Sequence, residues 1–205
     1  MDQVREKPWL AHYDPGVPPE IQVPDIPLWR FLEESARRFP QNVALEFLGK
    51  TLSYQELWGL ARRFAQGLKD LGVRPGDRVA IMLPNSPQFV IAFYGTLLAG
   101  GVGVNVNPLY TPRELRHQLA DAGAETLVIL DHLLPRYLEV EKEVPVKRVV
   151  VTGIKDFLPF PKNLLYPLKA KRDGLPLGFP KREGFHAFAE LLKRPPAEPH
   201  VPDPE

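Results

Sequence analysis

The sequence predicts an α/β fold: an open, mainly parallel sheet with helices on both faces, plus an extended N-terminal arm and a small hairpin. Three observations point there. Apolar runs of five or six residues alternate with helical stretches of 11 or more, which calls for crossover connections and parallel strands. Capping residues stand at the starts of the expected helices. Prolines crowd the two ends, six before residue 28 and ten after residue 155, leaving eight for the centre where the regular elements belong.

Residues 1–27 form the arm. Pro15, Pro18, Pro19 and Pro24 fix φ and remove backbone donors, so this stretch is expected to be extended rather than helical. An α/β subdomain is expected over residues 28–152. Its first helix runs from Leu28 to Pro40, with Leu28, Phe31, Leu32, Ser35 and Phe39 as the inner face. VALEF and TLS then give two short strands about the tight turn LGK.

The stretch SYQE, Ser53 to Glu56, is a capping box that starts a helix at Tyr54. Leu57, Ala61, Phe64, Leu68 and Leu71 keep helical spacing until Gly72, and RPGD makes a turn. RVAIML, residues 78–83, is a continuous apolar run, as expected of a strand covered on both faces. Ser86 and Pro87 open PQFVIAFYGTLLAG, which is apolar nearly all round and so expected to be buried. VGVNV, TPRELRHQLADAG, TLVIL, LLPRYLEVEKEV and KRVVV continue as strand, helix, strand, helix and strand.

Beyond Thr152 the period is lost. Residues 153–205 are expected to form an irregular basic and aromatic excursion with one short helix, FHAFAELLKR, and a proline-rich end. Nine Lys or Arg against four Asp or Glu over residues 155–194 make this the one basic region. Phe157, Leu158, Phe160, Leu164, Leu165 and Tyr166 interleave with Lys155, Lys162 and Lys169, and Phe157, Phe160, Lys162, Tyr166 and Lys169 are the candidates for contact with an anionic membrane surface. The prolines argue against an amphipathic helix there, so packing on the chain's own domain is the first reading.

The formal net charge of the whole chain is +1, which gives no field to draw in nucleic acid, and no nucleic-acid partner is expected. The absence of cysteine excludes disulfides, thiolate metal sites and cysteine nucleophiles. No apolar run approaches the length of a membrane span, and a cytoplasmic location is the default expectation.

Motifs for nucleotide chemistry are incomplete. Gly49, Lys50 and Thr51 end a phosphate-loop pattern, but its first glycine position is Ala44 and the triplet lies between two strands. Gly101 precedes its strand and Gly103 lies within it, neither following a strand as required, and Val106 stands where a dinucleotide fingerprint needs its third glycine. Asp131, at the end of TLVIL, reads as a capping or solvated carboxylate rather than a ribose-binding one. The five histidines show no metal-ligand spacing and none of the three serines lies in a nucleophile motif, so no metal site and no catalytic residue is assigned. Thr111, Pro112 and Glu114 form a second capping box, which engages the amides an anion would use.

The stretches KPWLAHYDPGVPPEI (7–21), GDRVAIMLPNSPQ (76–88), VNVNPLYTPRELRHQL (104–119) and KDFLPFPKNLLYPLK (155–169) resemble, in the same order, the N-terminal part of bacterial long-chain fatty acid–CoA ligases. These belong to the adenylate-forming superfamily of acyl- and aryl-CoA synthetases. The resemblance implies ATP, Mg and CoA as cofactors of a full-length enzyme, a long-chain fatty acid as substrate, and the remainder of the polypeptide as a partner. It also implies that a phosphate loop follows Glu205, so the 205 residues alone are expected to bind no cofactor and to be inactive. Asn107, Pro108, Tyr110, Thr111, Arg113 and Glu114 match a family signature and are assigned a structural role first. Two further expectations are a homodimer clasped by the arm and, as the second reading of the basic excursion, peripheral contact with the inner face of the membrane. The alternative is a non-catalytic α/β scaffold or interaction domain.

Overall fold

The computed structural model describes residues 7–201; residues 1–6 of the expected arm and 202–205 of the expected C-terminal segment lie outside them. The regular elements are α1 (Trp29–Arg38), β1 (Val43–Phe47), β2 (Lys50–Ser53), α2 (Tyr54–Asp70), β3 (Arg78–Met82), α3 (Pro87–Leu98), β4 (Val102–Asn105), α4 (Pro112–Ala122), β5 (Thr126–Leu130), α5 (Leu134–Leu138), β6 (Arg148–Thr152), α6 (Lys162–Arg172), β7 (Phe185–Ala187) and α7 (Phe188–Leu191). Five strands make one parallel sheet in the order β4, β3, β5, β6, β7, and β1 with β2 make a separate antiparallel hairpin. The step from β3 to β4 runs one way along the sheet and the step from β4 to β5 runs back past β3. Right-handed crossovers therefore place α3 and α4 on opposite faces. α2 packs on α1, α3 and α7, and α4 packs on α5. The predicted fold class is the observed one.

Burial explains the sheet. β5 is buried at all five positions and β3 at four of five, as strands covered on both faces must be. The LGK turn takes positive φ at both central residues, 51° at Leu48 and 93° at Gly49, which matches the twist of a two-residue hairpin. Gly49, Lys50 and Thr51 are thus a hairpin turn and not a phosphate loop.

Five local expectations are corrected. The arm is not extended throughout, because Pro8–His12 form one turn of 3-10 helix. In α1 the inner stripe is Trp29, Leu32 and Ala36, while Leu28, Phe31 and Phe39 are exposed. Trp29 stacks on Trp58 of α2 at 6.5 Å, and the largest side chain sets the rotation of the helix. α3 buries only one side; Phe89, Val90, Phe93, Tyr94 and Leu97 remain partly open. The helix expected over LLPRYLEVEKEV is only one turn long, since the chain doubles back and the Tyr137 hydroxyl accepts a hydrogen bond from the Val146 amide at 3.1 Å.

The fifth correction is the largest. Residues 162–172 are an 11-residue helix despite Pro167, and the expected helix FHAFAELLKR is instead the edge strand β7 followed by one turn. α6 keeps Asn163, Tyr166, Pro167 and Ala170 on its docked side, a spacing of three and four that outweighs the hydrogen bond proline removes. The proline-rich end also returns to the core: Ala197 is buried, and its amide donates to the Arg62 carbonyl at 3.0 Å.

Candidate functional site

In an open parallel sheet the crevice for ligands lies beyond the carboxyl ends of the strands, where the strand order reverses. Here that point falls between β3 and β5, because β4 lies to one side of β3 and β5 to the other. Three sets of residues border this edge.

The first is the loop after β4. The Asn107 side-chain oxygen accepts from the Leu109 amide at 3.0 Å, and the Tyr110 amide donates to the Asn107 carbonyl at 3.1 Å, so the loop closes on itself. The Glu114 carboxylate accepts from the Thr111 amide and hydroxyl, each at 2.8 Å, and Thr111 Oγ1 accepts the Glu114 amide at 3.4 Å. Those hydrogen bonds hold the Glu114 carboxyl below its ordinary value of 4.5, the backbone amide contributing most. Arg136 of α5 braces the loop from outside, donating to the Pro108 carbonyl at 2.6 Å and the Tyr110 carbonyl at 3.1 Å. Sequence reading missed Arg136, and no spacing rule links it to a loop 28 residues earlier.

Of the six signature residues, Tyr110, Arg113 and Glu114 share a wide, shallow groove of about 590 Å³ with Arg116 and His117, while Asn107, Pro108 and Thr111 lie outside its lining. Arg116 is engaged by Glu143 at 2.7 Å. The groove is therefore charged on both signs and open.

The capping box gives a direct prediction. Thr111→Ala is expected to lower stability by about 1 kcal/mol, read from urea denaturation. A carboxyl whose folded value is lowered stabilises above its unfolded value and stops doing so as pH falls through the lowered one. In thermal melts from neutral to acid pH, Glu114→Gln is expected to melt lower than wild type at neutral pH, with the difference closing in acid.

The second set is a buried polar cluster at the ends of β5 and β6. Asp131 is 4% exposed; its carboxylate accepts from the His132 amide at 2.8 Å and from the Gly178 amide at 3.4 Å. Gln88, wholly buried on α3, donates to the Gly153 carbonyl at 3.0 Å, and Asp156 accepts from the Gly153 amide and the Thr152 hydroxyl at 2.9 Å each. These bonds staple α3, β5, β6 and the loop before β7. Asp131 faces inward to backbone amides, so it is neither solvated nor presented to a ribose.

The third set is the basic excursion, and the structure divides it. Phe157 is 5% exposed, with the Lys50 ammonium 5.2 Å from its ring centroid, so it is core and cannot meet a membrane. Tyr166 lies on the docked side of α6, where burial pushes its hydroxyl above the ordinary 10.0 and Asp131 and Asp173 add to the rise. The Lys162 ammonium donates to the Leu48 carbonyl at 2.9 Å. Phe160 and Lys169 do face outward. Leu164 and Leu165 of the same apolar and cationic run stand beside them, as does Leu168, which sequence reading missed because Pro167 hid the helical spacing that groups the three.

Both helix starts at this edge are capped by a side-chain hydroxyl. The Ser86 hydroxyl accepts the Phe89 amide at 3.4 Å, and the box at Thr111 engages α4. Among the described residues no group of three or more His, Asp or Glu is placed to hold a metal ion. Among the described residues, then, no group built for a magnesium nucleotide is shown.

Comparison with known proteins places this architecture. The model of the family described as AMP-binding enzyme matches residues 32–204. A long-chain-fatty-acid–CoA ligase of Bacillus subtilis (strain 168) is 43% identical over 189 residues, covering 92% of this chain and 34% of that protein. One from Escherichia coli O157:H7 is 40% identical over 163 residues, 78% of this chain and 29% of that protein. The solved structure of a long-chain-fatty-acid-CoA ligase from Archaeoglobus fulgidus superposes with a TM-score of 0.69 at 22% identity, over 91% of this chain and 34% of that one, a likeness of fold. The chain spans about a third of the length of the curated relatives it matches.

Proposed function

This chain belongs to the AMP-binding enzyme family, and from that premise we propose that it forms the N-terminal portion of an ATP-dependent long-chain fatty acid–CoA ligase. The observation that carries the reading is the 43% identity to the Bacillus subtilis long-chain-fatty-acid–CoA ligase across 92% of the chain. In the proposed reaction a fatty acid carboxylate attacks the α-phosphorus of ATP to give acyl-adenylate and pyrophosphate, and the thiol of CoA then displaces AMP.

The part played by these residues is scaffolding. The stapled loop Asn107–Thr111 and the Asp131 cluster make a rigid carboxyl edge against which the rest of the polypeptide packs and beside which acyl and pantetheine paths run. The signature residues Asn107, Pro108, Tyr110, Thr111, Arg113 and Glu114 hold that edge in shape. Magnesium and the nucleotide phosphates would be held by residues outside this chain. The protein works in the cytoplasm, on the inner face of the membrane. The arm, with Trp9, Val17, Ile21 and Val23 exposed, clasps a second copy.

Acid-dependent exchange between ATP and pyrophosphate tests the reading. The intact enzyme is expected to exchange with a long-chain acid and the purified 205-residue chain to give no signal above a no-protein control. Clear turnover by the isolated chain would refute the scaffolding role. An intact enzyme that exchanges only with another class of acid would remove the long-chain assignment.

A further inference from the structure

We propose that the exposed face of α6, extended by Phe160 and by Leu48 at the hairpin tip, is a docking surface for an anionic lipid bilayer. This rests on the reading above, which puts the protein at a membrane, and it names the surface and the lipid chemistry. The docked side of the helix is Asn163, Tyr166, Pro167 and Ala170. Leu164, Leu165 and Leu168 point away from it and are 65, 57 and 69% exposed, and Phe160 just before the helix is 78% exposed. Leu48 is held alongside by the bond from Lys162 to its carbonyl. Leu168 also opens onto a shallow groove of about 600 Å³ that runs to Leu175 and Leu177. These apolar groups form one outward surface on an element that is already docked by its other side.

Charge identifies the occupant. KNLLYPLKAKR contains four cations and no acid, and the one ion pair made by the helix among the described residues joins Arg172 to Asp173 just beyond its end. At 100° per residue, Leu164, Leu168 and Leu165 span the middle of the outward face, with Lys171 on one flank and Lys169 on the other. Cations in the last turn also suit the helix dipole, which accounts for the charge but not for the exposed leucines. A protein partner would need to supply several unpaired acids around an apolar ridge. A bilayer with anionic headgroups supplies both chemistries over a plane, and a long-chain acid itself partitions into that layer.

Cosedimentation of the 205-residue chain with phosphatidylcholine vesicles, with and without phosphatidylglycerol, tests the proposal. Binding is expected only when phosphatidylglycerol is present, and to weaken with salt. Lys169→Gln with Lys171→Gln is expected to weaken it by about fivefold per charge. Leu164→Ser with Leu168→Ser is expected to weaken it by about tenfold or more. Because all four positions are exposed, circular dichroism melts of these variants should match wild type.

No pelleting with anionic vesicles overturns the proposal, and so does equal pelleting of wild type and variants. A lipid-free oligomer that Leu168→Ser dissociates would make the face a contact between copies instead. Protection of α6 amides from hydrogen exchange in the lipid-free intact enzyme would show the face covered by the rest of the polypeptide, and would equally overturn it. Pyrophosphate exchange with albumin-delivered acid needs no vesicles, so failure of the ligase reading and failure of the bilayer surface register separately.

Discussion

Phe64→Ala is expected to remove about 3–5 kcal/mol from the unfolding free energy of this chain, the largest single loss we expect. Phe64 is fully buried on α2. Its ring lies 4.6 Å from that of Phe188 on α7, tilted by 31°. On another side it meets Gly95 of α3, where an added Cβ would fall 2.7 Å from Phe64 Cδ1. One side chain is therefore the junction of three helices on one face of the sheet. Its removal forfeits the transfer free energy of the ring, its contact with Phe188, and the filling of a space that three helices cannot close together. A domain of this size has a total stability of roughly 5–15 kcal/mol, so the loss is a large fraction of it. The check is urea denaturation: the midpoint should fall sharply with the slope unchanged. A loss below about 1 kcal/mol would mean the helices close over the gap, and the packing described here would be wrong.

The same side chain shows how far the sequence could be read. Leu57, Ala61, Phe64 and Leu68 stand at helical spacing between a capping box and a helix-ending glycine, and all four are buried on α2. Local chemistry and tertiary demand agree there, so the element and its inner face are both legible. In α1 they diverge. Ser35 donates to the Phe31 carbonyl, and Trp29 rather than Phe31 turns inward, because its partner Trp58 lies on another helix. Periodicity alone cannot rank two overlapping apolar faces. α6 failed for a different reason: Pro167 is a strong local signal against a helix, and only packing elsewhere in the chain outweighs it.

Legibility of the site divides in the same way. The box joining Thr111 and Glu114 is a contact over three residues, and sequence spacing located it. Arg136 beneath the loop, Gln88 beneath Gly153 and the amide of Gly178 on Asp131 join residues 28 to 65 positions apart. No motif encodes such pairs; they exist because the parallel order brings the ends of β3, β5 and β6 to one edge. Asp131 was therefore found as a residue but misplaced in environment. Phe157 shows the converse, since its run of aromatic and lysine neighbours suggested a surface whereas the fold buries it.

A single methyl group added at two glycines should act with opposite sign. Gly59 and Gly95 both lie inside helices, where alanine is favoured by about 1 kcal/mol on backbone grounds. At Gly59 an added Cβ meets nothing within 4 Å, so Gly59→Ala is expected to stabilise by about 0.5–1 kcal/mol. At Gly95 the same atom would come within 2.7 Å of Phe64 Cδ1 and 3.0 Å of the Ala61 carbonyl oxygen. The ring is held by Phe188 and the carbonyl by its helix, so neither can yield cheaply. Overpacking of this kind costs about 1–3 kcal/mol, which exceeds the helical gain, and Gly95→Ala is expected to destabilise. The closest of these contacts is with the Phe64 ring, so that part of the strain should be relieved in a Phe64→Ala background while the contact with the Ala61 carbonyl stays. The double variant is then expected to be more stable than the sum of the two single losses allows, by about 1 kcal/mol or more. Strict additivity in that cycle would show that α2 and α3 do not meet through Phe64 and Gly95, and the close approach that sets α3 over the sheet would have to be assigned to other residues.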